Sequence, residues 1–330
     1  MSIRQHCGGG TRWDRFRHKF ESLEARQCLS AAATAPLVAP TASIVVSGHT
    51  LLIDTDAGAD TVKISDDAKG DISAVLTTAT GGTITGGGSS ITDVEVNGRG
   101  NDAVNYQLTG LLTNSEALMF CLGKGNSQVS LDFSQGVSAS KLGISLDGSG
   151  ADTVQAKFGA IENTDLWFGS HQGNGGSYFL TFGGNITGAS HAVFDAAGQG
   201  ANTFDAEADN VNIDPNALLD IHLRGGVGPD KLTVNYSGVV NGKLNVEAEG
   251  GKGNDTIAAN LTINQGSTGK VHAAVFGGVG DDNETLNVYD NSGGQGSPST
   301  LAALDAEIGN VLGHNTLVYT PNVKVINKHA

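Results

Sequence analysis

The sequence has little of what usually builds a compact globular core. Aromatic residues make up 5% and charged residues 16%, with 6 prolines, 3 cysteines and 2 methionines among 330 residues. Three cysteines are too few for a disulfide framework, since Cys7 and Cys28 lie near the N-terminus and only Cys121 lies farther along. In its apolar run, ALMFCL, Cys121 is expected to be a small buried core residue, with a nucleophile as the alternative. No window approaches about 18 uninterrupted apolar residues, so no transmembrane helix is predicted.

Motifs of common catalytic sites are also missing from the sequence. It contains no G-x-S-x-G elbow, no H-E-x-x-H, no G-x-x-x-x-G-K-[ST] phosphate loop and no C-x-x-C. We therefore expect a protein that is not an enzyme.

Charge is distributed unevenly along the chain. Six of the 19 basic residues lie in the first 26 positions, which leaves a net charge of −18 on the remainder. Such an acidic body repels nucleic acid and anionic membrane surfaces, so neither is expected as a partner. Cations are the better match for this charge.

The first 34 residues are expected to form a basic leader rather than part of the folded body. Basic residues are followed by CLSAAATAP, a short stretch of small apolar residues that ends in an A-x-A-like pattern. This composition is typical of an export segment.

What the chain has in abundance is glycine, with 48 residues, and the glycines recur in a regular turn. The turn has the pattern Gly-x-Gly-x followed by a polar residue, here called the anchor. The gaps between successive anchors are 42, 25, 25, 25, 25, 28, 25 and 27 residues. The nine anchors are Asp60, Asp102, Ser127, Asp152, Ser177, Asn202, Asp230, Asp255 and Asp282. An apolar residue follows two positions after every anchor except the last, where Glu284 stands.

Regular glycine turns between alternating strands predict an all-β fold, a parallel β-helix or β-solenoid with about 25 residues per coil. The solenoid is expected over residues 35–295, with right-handed winding, and residues 296–330 are expected to supply capping strands. The 42-residue gap suggests an irregular or short coil. A one-residue phase shift before the turn, between Val94 and Val96 in one unit and Ile221 and Leu223 in another, suggests β-bulges.

Two resemblances to known families attach to these segments. Residues 20–31, FESLEARQCLSA, resemble the F-E-x-L-E-x-R-x-L-L-S leader motif of planctomycete surface and secreted proteins, with Cys28 in place of a leucine. This resemblance implies export to the cell surface or the extracellular space. GGKGNDTI and GGVGDDNETL are similar to the hemolysin-type calcium-binding repeat G-G-x-G-x-D-x-U-x. That family places its motifs in tandem, whereas here one motif occurs per coil.

Acidic anchors concentrate toward the C-terminus, where a calcium site is one hypothesis. Stacked coils lie about 4.8 Å apart, so adjacent carboxylates would repel by roughly 1 kcal/mol in water, which Ca²⁺ would relieve. The candidate ligands are Asp230, Asp255, Asp281 and Asp282. The alternative is that these carboxylates only cap N–H groups of the turns and face solvent.

A second polar column is predicted on the outward face of the strand that precedes the turn. His222, Glu247 and His272 are spaced by 25 residues each, with Arg224 and Glu249 beside them. Two histidines and a glutamate could bind zinc or act in acid–base chemistry, and the alternative is ordinary cross-strand pairing.

These features favour a non-catalytic structural or adhesive β-solenoid at the cell surface, with calcium as a potential stabilising ion and an unidentified surface ligand or matrix component as partner. The alternative is a polysaccharide lyase or hydrolase, since such enzymes often use β-helices. Against the alternative, the repeats contain only two arginines, Arg99 and Arg224.

Overall fold

The computed structural model describes residues 41–309 and two further strands, at 313–319 and 324–327; the predicted leader lies outside these residues. The described part is all β. Its first strands are β1 (Ser43–Ser47), β2 (Thr50–Asp54), β3 (Thr61–Asp66), β4 (Ile72–Thr77), β5 (Thr83–Gly88), β6 (Asp93–Asn97), β7 (Ala103–Leu108), β8 (Glu116–Cys121) and β9 (Gln128–Phe133). The central ones are β10 (Lys141–Gly148), β11 (Asp152–Phe158), β12 (Ile161–Glu162), β13 (Asp165–Gln172), β14 (Gly176–Phe182), β15 (Ile186–Thr187), β16 (His191–Gly198) and β17 (Asn202–Ala208). The last are β18 (Leu218–Val227), β19 (Lys231–Gly238), β20 (Lys243–Lys252), β21 (Thr256–Ile263), β22 (Lys270–Val279), β23 (Asp282–Asp290), β24 (Ala303–Gly309), β25 (Gly313–Tyr319) and β26 (Lys324–Asn327).

The strands form a parallel β-solenoid of about eight turns with about 26 residues per coil, which confirms the predicted fold class. Each coil contributes one strand to sheet A, which runs from β1 through β10 and β18 to β26. After the glycine turn it contributes one strand to sheet B, which runs from β5 through β11 and β19 to β25. Between β7 and β20, each coil returns from sheet B to sheet A along a narrow third side of the solenoid. This side consists of isolated parallel bridges and the short pair β12–β15.

Inward residues of both sheets stack into one continuous core. Strand β21, for example, alternates buried and partly exposed positions along TIAANLTI, as a strand with one buried face requires. Aromatic rings fill the middle coils, where Phe158 lies 5.3 Å from Phe133, 5.8 Å from Phe182 and 5.2 Å from Phe194 between ring centroids. Cys121, at the end of β8, is buried as expected for a core residue.

The N-terminal end of the solenoid departs from the predicted irregular coil. The 42-residue gap instead holds β4, which pairs antiparallel with β3, and β5, which pairs antiparallel with β4, while β1 pairs antiparallel with β2. The turn between β3 and β4 is held by Asp67, whose carboxylate accepts the amides of Lys69 and Asp71 at 2.8 and 2.9 Å. These strands extend both sheets at this end, so the hairpins take the place of a short coil. At the other end β24, β25 and β26 continue the parallel stacking.

The predicted bulges are wrong, because the sheet A strands stay in register. Val94 and Val96 belong to the same inward columns as Ile221 and Leu223, through one-to-one pairing of every intervening strand. The one-residue shift falls in the turn, where five residues separate Val96 from Asp102 and six separate Leu223 from Asp230.

Candidate functional site

The anchors form a buried column along the glycine turn. Backbone amides of the anchors donate to the anchor side chain of the next coil: the amide of Asp60 donates to Asp102 at 3.1 Å, that of Ser127 to Asp152 at 2.7 Å, and that of Asp230 to Asp255 at 2.8 Å. The same bond recurs from Asp255 to Asp282 at 3.0 Å. Because Asp230, Asp255 and Asp282 are buried, the alternative that these carboxylates face solvent is wrong for these three, although they do cap N–H groups.

Ser177 does not belong to this column. Asp152 pairs with Gly176, which in turn pairs with Asn202, so Ser177 lies one residue out of place beside Thr153. The shift also reverses the side chains that follow, because Tyr178 is buried and Phe179 is exposed. The buried phenol oxygen of Tyr178 accepts a hydrogen bond from Ser170 at 2.6 Å.

Each glycine of the late G-G-x-G-x-D turns has a separate structural role. The first makes room for a carboxyl group: a methyl on Gly250 would lie 2.3 Å from Asp255 Oδ2 and 2.7 Å from the Gly277 carbonyl oxygen. The second, Gly251, has φ +100°, which side-chain-bearing residues rarely adopt. The third, Gly253, lies so close to Gly228 that a methyl would meet its carbonyl oxygen at 2.0 Å.

In these turns the second carboxyl oxygen of each anchor has no hydrogen-bond donor among the described residues. Oδ2 of Asp230, Asp255 and Asp282 is buried without a hydrogen-bond partner. Earlier in the chain the same atom is satisfied: Asp102 Oδ2 accepts the Thr55 hydroxyl at 2.9 Å and the Arg99 amide at 3.0 Å. The late turns therefore contain buried acceptors that face other acceptors.

Burial changes the pKa of these carboxyl groups. It raises the pKa of Asp230 to about 6, against hydrogen bonds from Asn202 and with a smaller contribution from the charge of Asp255. Burial also raises the pKa of Asp255, with the Asp282 charge adding to it. The inward Glu284 is fully buried, and burial raises its pKa to about 7, opposed by the Gly277 amide and helped by Asp282.

The predicted calcium ligands do not all come together. Asp230, Asp255 and Asp282 stack in consecutive coils, whereas Asp281 is exposed on an outer row, where its amide donates to Asn254 at 3.1 Å. Within residues 41–309, no group of three or more histidine, cysteine or acidic side chains is arranged to hold a metal ion.

The second predicted column is only partly in register. His222 pairs with Glu247 on the outer face of sheet A, and its Nε2 lies 3.6 Å from the glutamate and 3.0 Å from Asp220. His272 also points outward but pairs with Asn245, two residues away from Glu247. The two extra residues of that coil produce this offset, so the three side chains do not form one row.

Around His222 the outer face of sheet A carries a dense set of charges. Arg224 forms an ion pair with Asp195 on the preceding strand, β16. The hydrogen bond that His222 donates to the Asp220 carboxylate raises the pKa of His222, with the charges of Asp220 and Glu247 adding to it. Burial raises the pKa of Glu249, and the neighbouring Glu247 adds to the shift. We call Asp195, Asp220, His222, Arg224, Glu247 and Glu249 the sheet A cluster.

The sequence analysis missed a buried acidic group inside the first coils. The phenol oxygen of Tyr106 lies within hydrogen-bond distance of both Asp66 and Glu116, 2.9 Å from the latter. Burial raises the pKa of Glu116 well above its usual range, and the charge of Asp66 adds to this. Glu116 and Asp66 are more than 40 residues apart, so no local pattern indicates their meeting.

Comparisons with known protein families, curated proteins and solved structures find no match to this chain. In the part of the chain that the structure describes, none of the secondary structure is a helix long and apolar enough to cross a membrane.

Proposed function

We propose that this protein is an exported, non-catalytic structural or adhesive protein of the cell surface. The observation that carries the proposal is the location of the repeated residues. The anchors and their glycines are used between coils, where they hold one turn to the next. Because the repeated residues hold neighbouring coils together, they give a stiff, extendable body. The outer faces of the two long sheets are then left as surfaces for contact with a partner.

The leader motif and the acidity of the body support the export part of the proposal. Residues 20–31 resemble the leader of planctomycete surface proteins, and the body's net charge of −18 suits a cationic or cation-bridged surface partner better than nucleic acid. The proposed partner is a surface ligand or matrix component.

Localisation of the full chain in a planctomycete host tests the proposal. A C-terminally tagged chain should reach the surface or culture medium, and scrambling residues 20–31 should retain it inside the cell. Scrambling the eight residues of the GGQGSPST segment at 293–300 serves as the control. Intracellular accumulation of the unchanged chain would count against export.

A polysaccharide lyase or hydrolase is the second candidate, favoured by the sheet A cluster, which places a histidine beside two acids and an arginine nearby. Incubation with neutral and uronate-containing polysaccharides, followed by detection of reducing ends and unsaturated products, separates the candidates. Turnover that is lost in Glu247→Gln and kept in Asn235→Ala, on the sheet B face, would establish the enzyme and refute a non-catalytic role.

A further inference from the structure

The late turns contain pairs of oxygen atoms that cannot both be plain acceptors. A methyl on Gly225 would lie 2.2 Å from Asp230 Oδ2 and 2.5 Å from the Gly250 carbonyl oxygen, so both atoms crowd the same side of one glycine. The same arrangement recurs at Gly250, between Asp255 Oδ2 and Gly277. Two buried acceptors at such a place repel unless a proton or a cation lies between them.

Asn202, one coil earlier, has a neutral donor at the equivalent position. Its side-chain Nδ2 donates to the Gly225 carbonyl at 2.8 Å, while its backbone N–H donates to Asp230 Oδ1 at 2.7 Å. Asp230 repeats the geometry toward Gly250, with Oδ2 in place of the amide nitrogen. A protonated carboxyl group, which has one O–H donor and one acceptor oxygen, reproduces the hydrogen bonding of the asparagine.

In the last of these turns, two carboxyl groups, those of Asp282 and Glu284, lie beside the same glycine. A methyl on Gly277 would lie 2.1 Å from Glu284 Oε1 and 2.5 Å from Asp282 Oδ2. Glu284 pairs with the apolar Ile257 of the preceding coil, and it is fully buried. Two carboxyl groups that approach in a buried site share one proton more readily than they ionise together.

We propose that the late turn column is a proton-binding ladder, in which Asp230 and Asp255 are protonated and donate to the glycine carbonyl of the next coil, while Asp282 and Glu284 share a proton. The ladder makes the C-terminal coils more stable in mild acid than at alkaline pH. It is independent of the surface role proposed above.

The charged groups that affect each ladder residue are other acids of the ladder. Asp230 faces Asn202 and Asp255, Asp255 faces Asp230 and Asp282, and Glu284 faces Asp282. The lysines of the same turns, Lys231 and Lys252, are exposed. No basic side chain therefore contributes to the shifts at Asp230, Asp255 or Glu284.

The sign follows from proton linkage. Asp230 titrates near 3.8 when unfolded and at about 6 when folded, and Glu284 near 4.5 and at about 7. The folded state holds these protons more tightly, so their stabilisation is complete below the unfolded values and is lost as the pH rises through the folded ones. His222 and Glu116, whose pKa values are also raised, contribute in the same direction, so the parent protein's pH profile alone does not identify the ladder.

Asparagine substitution of single anchors is the deciding experiment, with the full chain melted at pH 5.0 and pH 8.0. Asp255→Asn supplies a permanent donor, so we expect it to raise the Tm by about 2–4 °C at pH 8.0 and to change it little at pH 5.0. Asp102→Asn is the matched control: Asp102 Oδ2 already accepts a hydroxyl and two amides, so the substitution should lower the Tm at both pH values.

A lower Tm for Asp255→Asn at pH 8.0, similar to that of Asp102→Asn, would overturn the ladder. So would a calcium-induced rise in the parent's Tm at pH 8.0 that Asp255→Asn abolishes and Asp152→Asn keeps, which would instead support the calcium site predicted from the sequence. If Asp255→Asn fails to fold, infrared spectra of the parent and Asp230→Asn decide. A protonated-carboxyl band at pH 5.5 that weakens in Asp230→Asn supports the ladder, and absence of that band from the parent refutes it.

Discussion

At the scale of single residues, the turn depends on glycines that leave space as much as on glycines that permit a conformation. Gly250 has no side chain where the Asp255 carboxyl group lies, and a methyl there would be 2.3 Å from its oxygen. The Gly277 carbonyl oxygen would lie 2.7 Å from the same methyl, so the methyl would meet two oxygen atoms at once.

We therefore expect Gly250→Ala to destabilise the protein by about 1–3 kcal/mol, the range for overpacking a tight site. Gly183→Ala is the control, since the nearest atom to its added methyl would be 3.8 Å away, and it should be close to neutral. Denaturant unfolding of both variants measures the difference. Equal stability of the two would mean that the turn relaxes around a methyl group.

The Tyr106 hydroxyl lies between two buried acids, Asp66 and Glu116. Tyr106→Phe removes the donor and leaves Asp66 and Glu116 facing each other, so we expect a loss of about 1–3 kcal/mol at neutral pH. The loss should shrink toward pH 5, because a protonated Glu116 can itself donate to Asp66. Thermal melts across this pH range, with the exposed Tyr289→Phe as control, measure it. A loss of stability that does not vary with pH would contradict donation from Glu116 to Asp66.

At the scale of strands, the sequence predicted the coil and its period but not every register. The 25-residue spacing of glycine turns was sufficient to predict stacked parallel strands, because each coil must turn at the same place. The slip at Ser177 was hidden by the run Gly175-Gly176-Ser177, in which two adjacent glycines allow two alignments of the turn. Packing made the choice, since it buries Tyr178 against the core beside Ser170 and leaves Phe179 outside.

The candidate site was less predictable than the strands for a similar reason. Spacing placed Asp230, Asp255 and Asp282 in consecutive coils, but it carries no information on whether a carboxyl group points to solvent or into the turn. That direction depends on the room beside Gly225, Gly250 and Gly277, which exists only once the coils are stacked. The contact of Asp66 and Glu116 inside the solenoid likewise exists only once the coils are stacked.

The alignment of β14 can be tested with two phenylalanines. Phe158 is buried among Phe133, Phe182 and Phe194, so Phe158→Ala should cost about 3–5 kcal/mol. Phe179 is 38% exposed on the outer face of sheet B, so Phe179→Ala should cost far less than burial in the core would imply. Equilibrium unfolding of both variants measures the contrast. A cost for Phe179→Ala as large as for Phe158→Ala would place Phe179 inside and restore the predicted alignment.

At the scale of the whole molecule, stability is expected to vary along the solenoid axis. Each coil contacts only its neighbours, so local stability depends on what each coil and its interfaces bury. The middle coils bury a connected group of phenylalanines around Phe158. In the later coils the columns of Phe158 and Phe194 hold smaller residues, Val246, Leu261 and Ala273, and the turn column buries carboxyl groups.

We expect this gradient to appear in hydrogen exchange at pH 7.5. Amides of β9, β11 and β14 should be protected longer than those of β20, β21 and β22, because smaller side chains fill the columns of Phe158 and Phe194 in the later strands and the acids there resist burial when charged. Peptide-resolved exchange of the full chain, corrected for intrinsic rates, compares the two sets within one sample. Lowering the pH to 5.5 should narrow the difference in protection between the two sets of amides. Asp102→Asn should not slow exchange in either set. Identical protection of both sets at pH 7.5 would mean that the solenoid opens as one cooperative unit, and that neither ring packing nor the turn acids divide it.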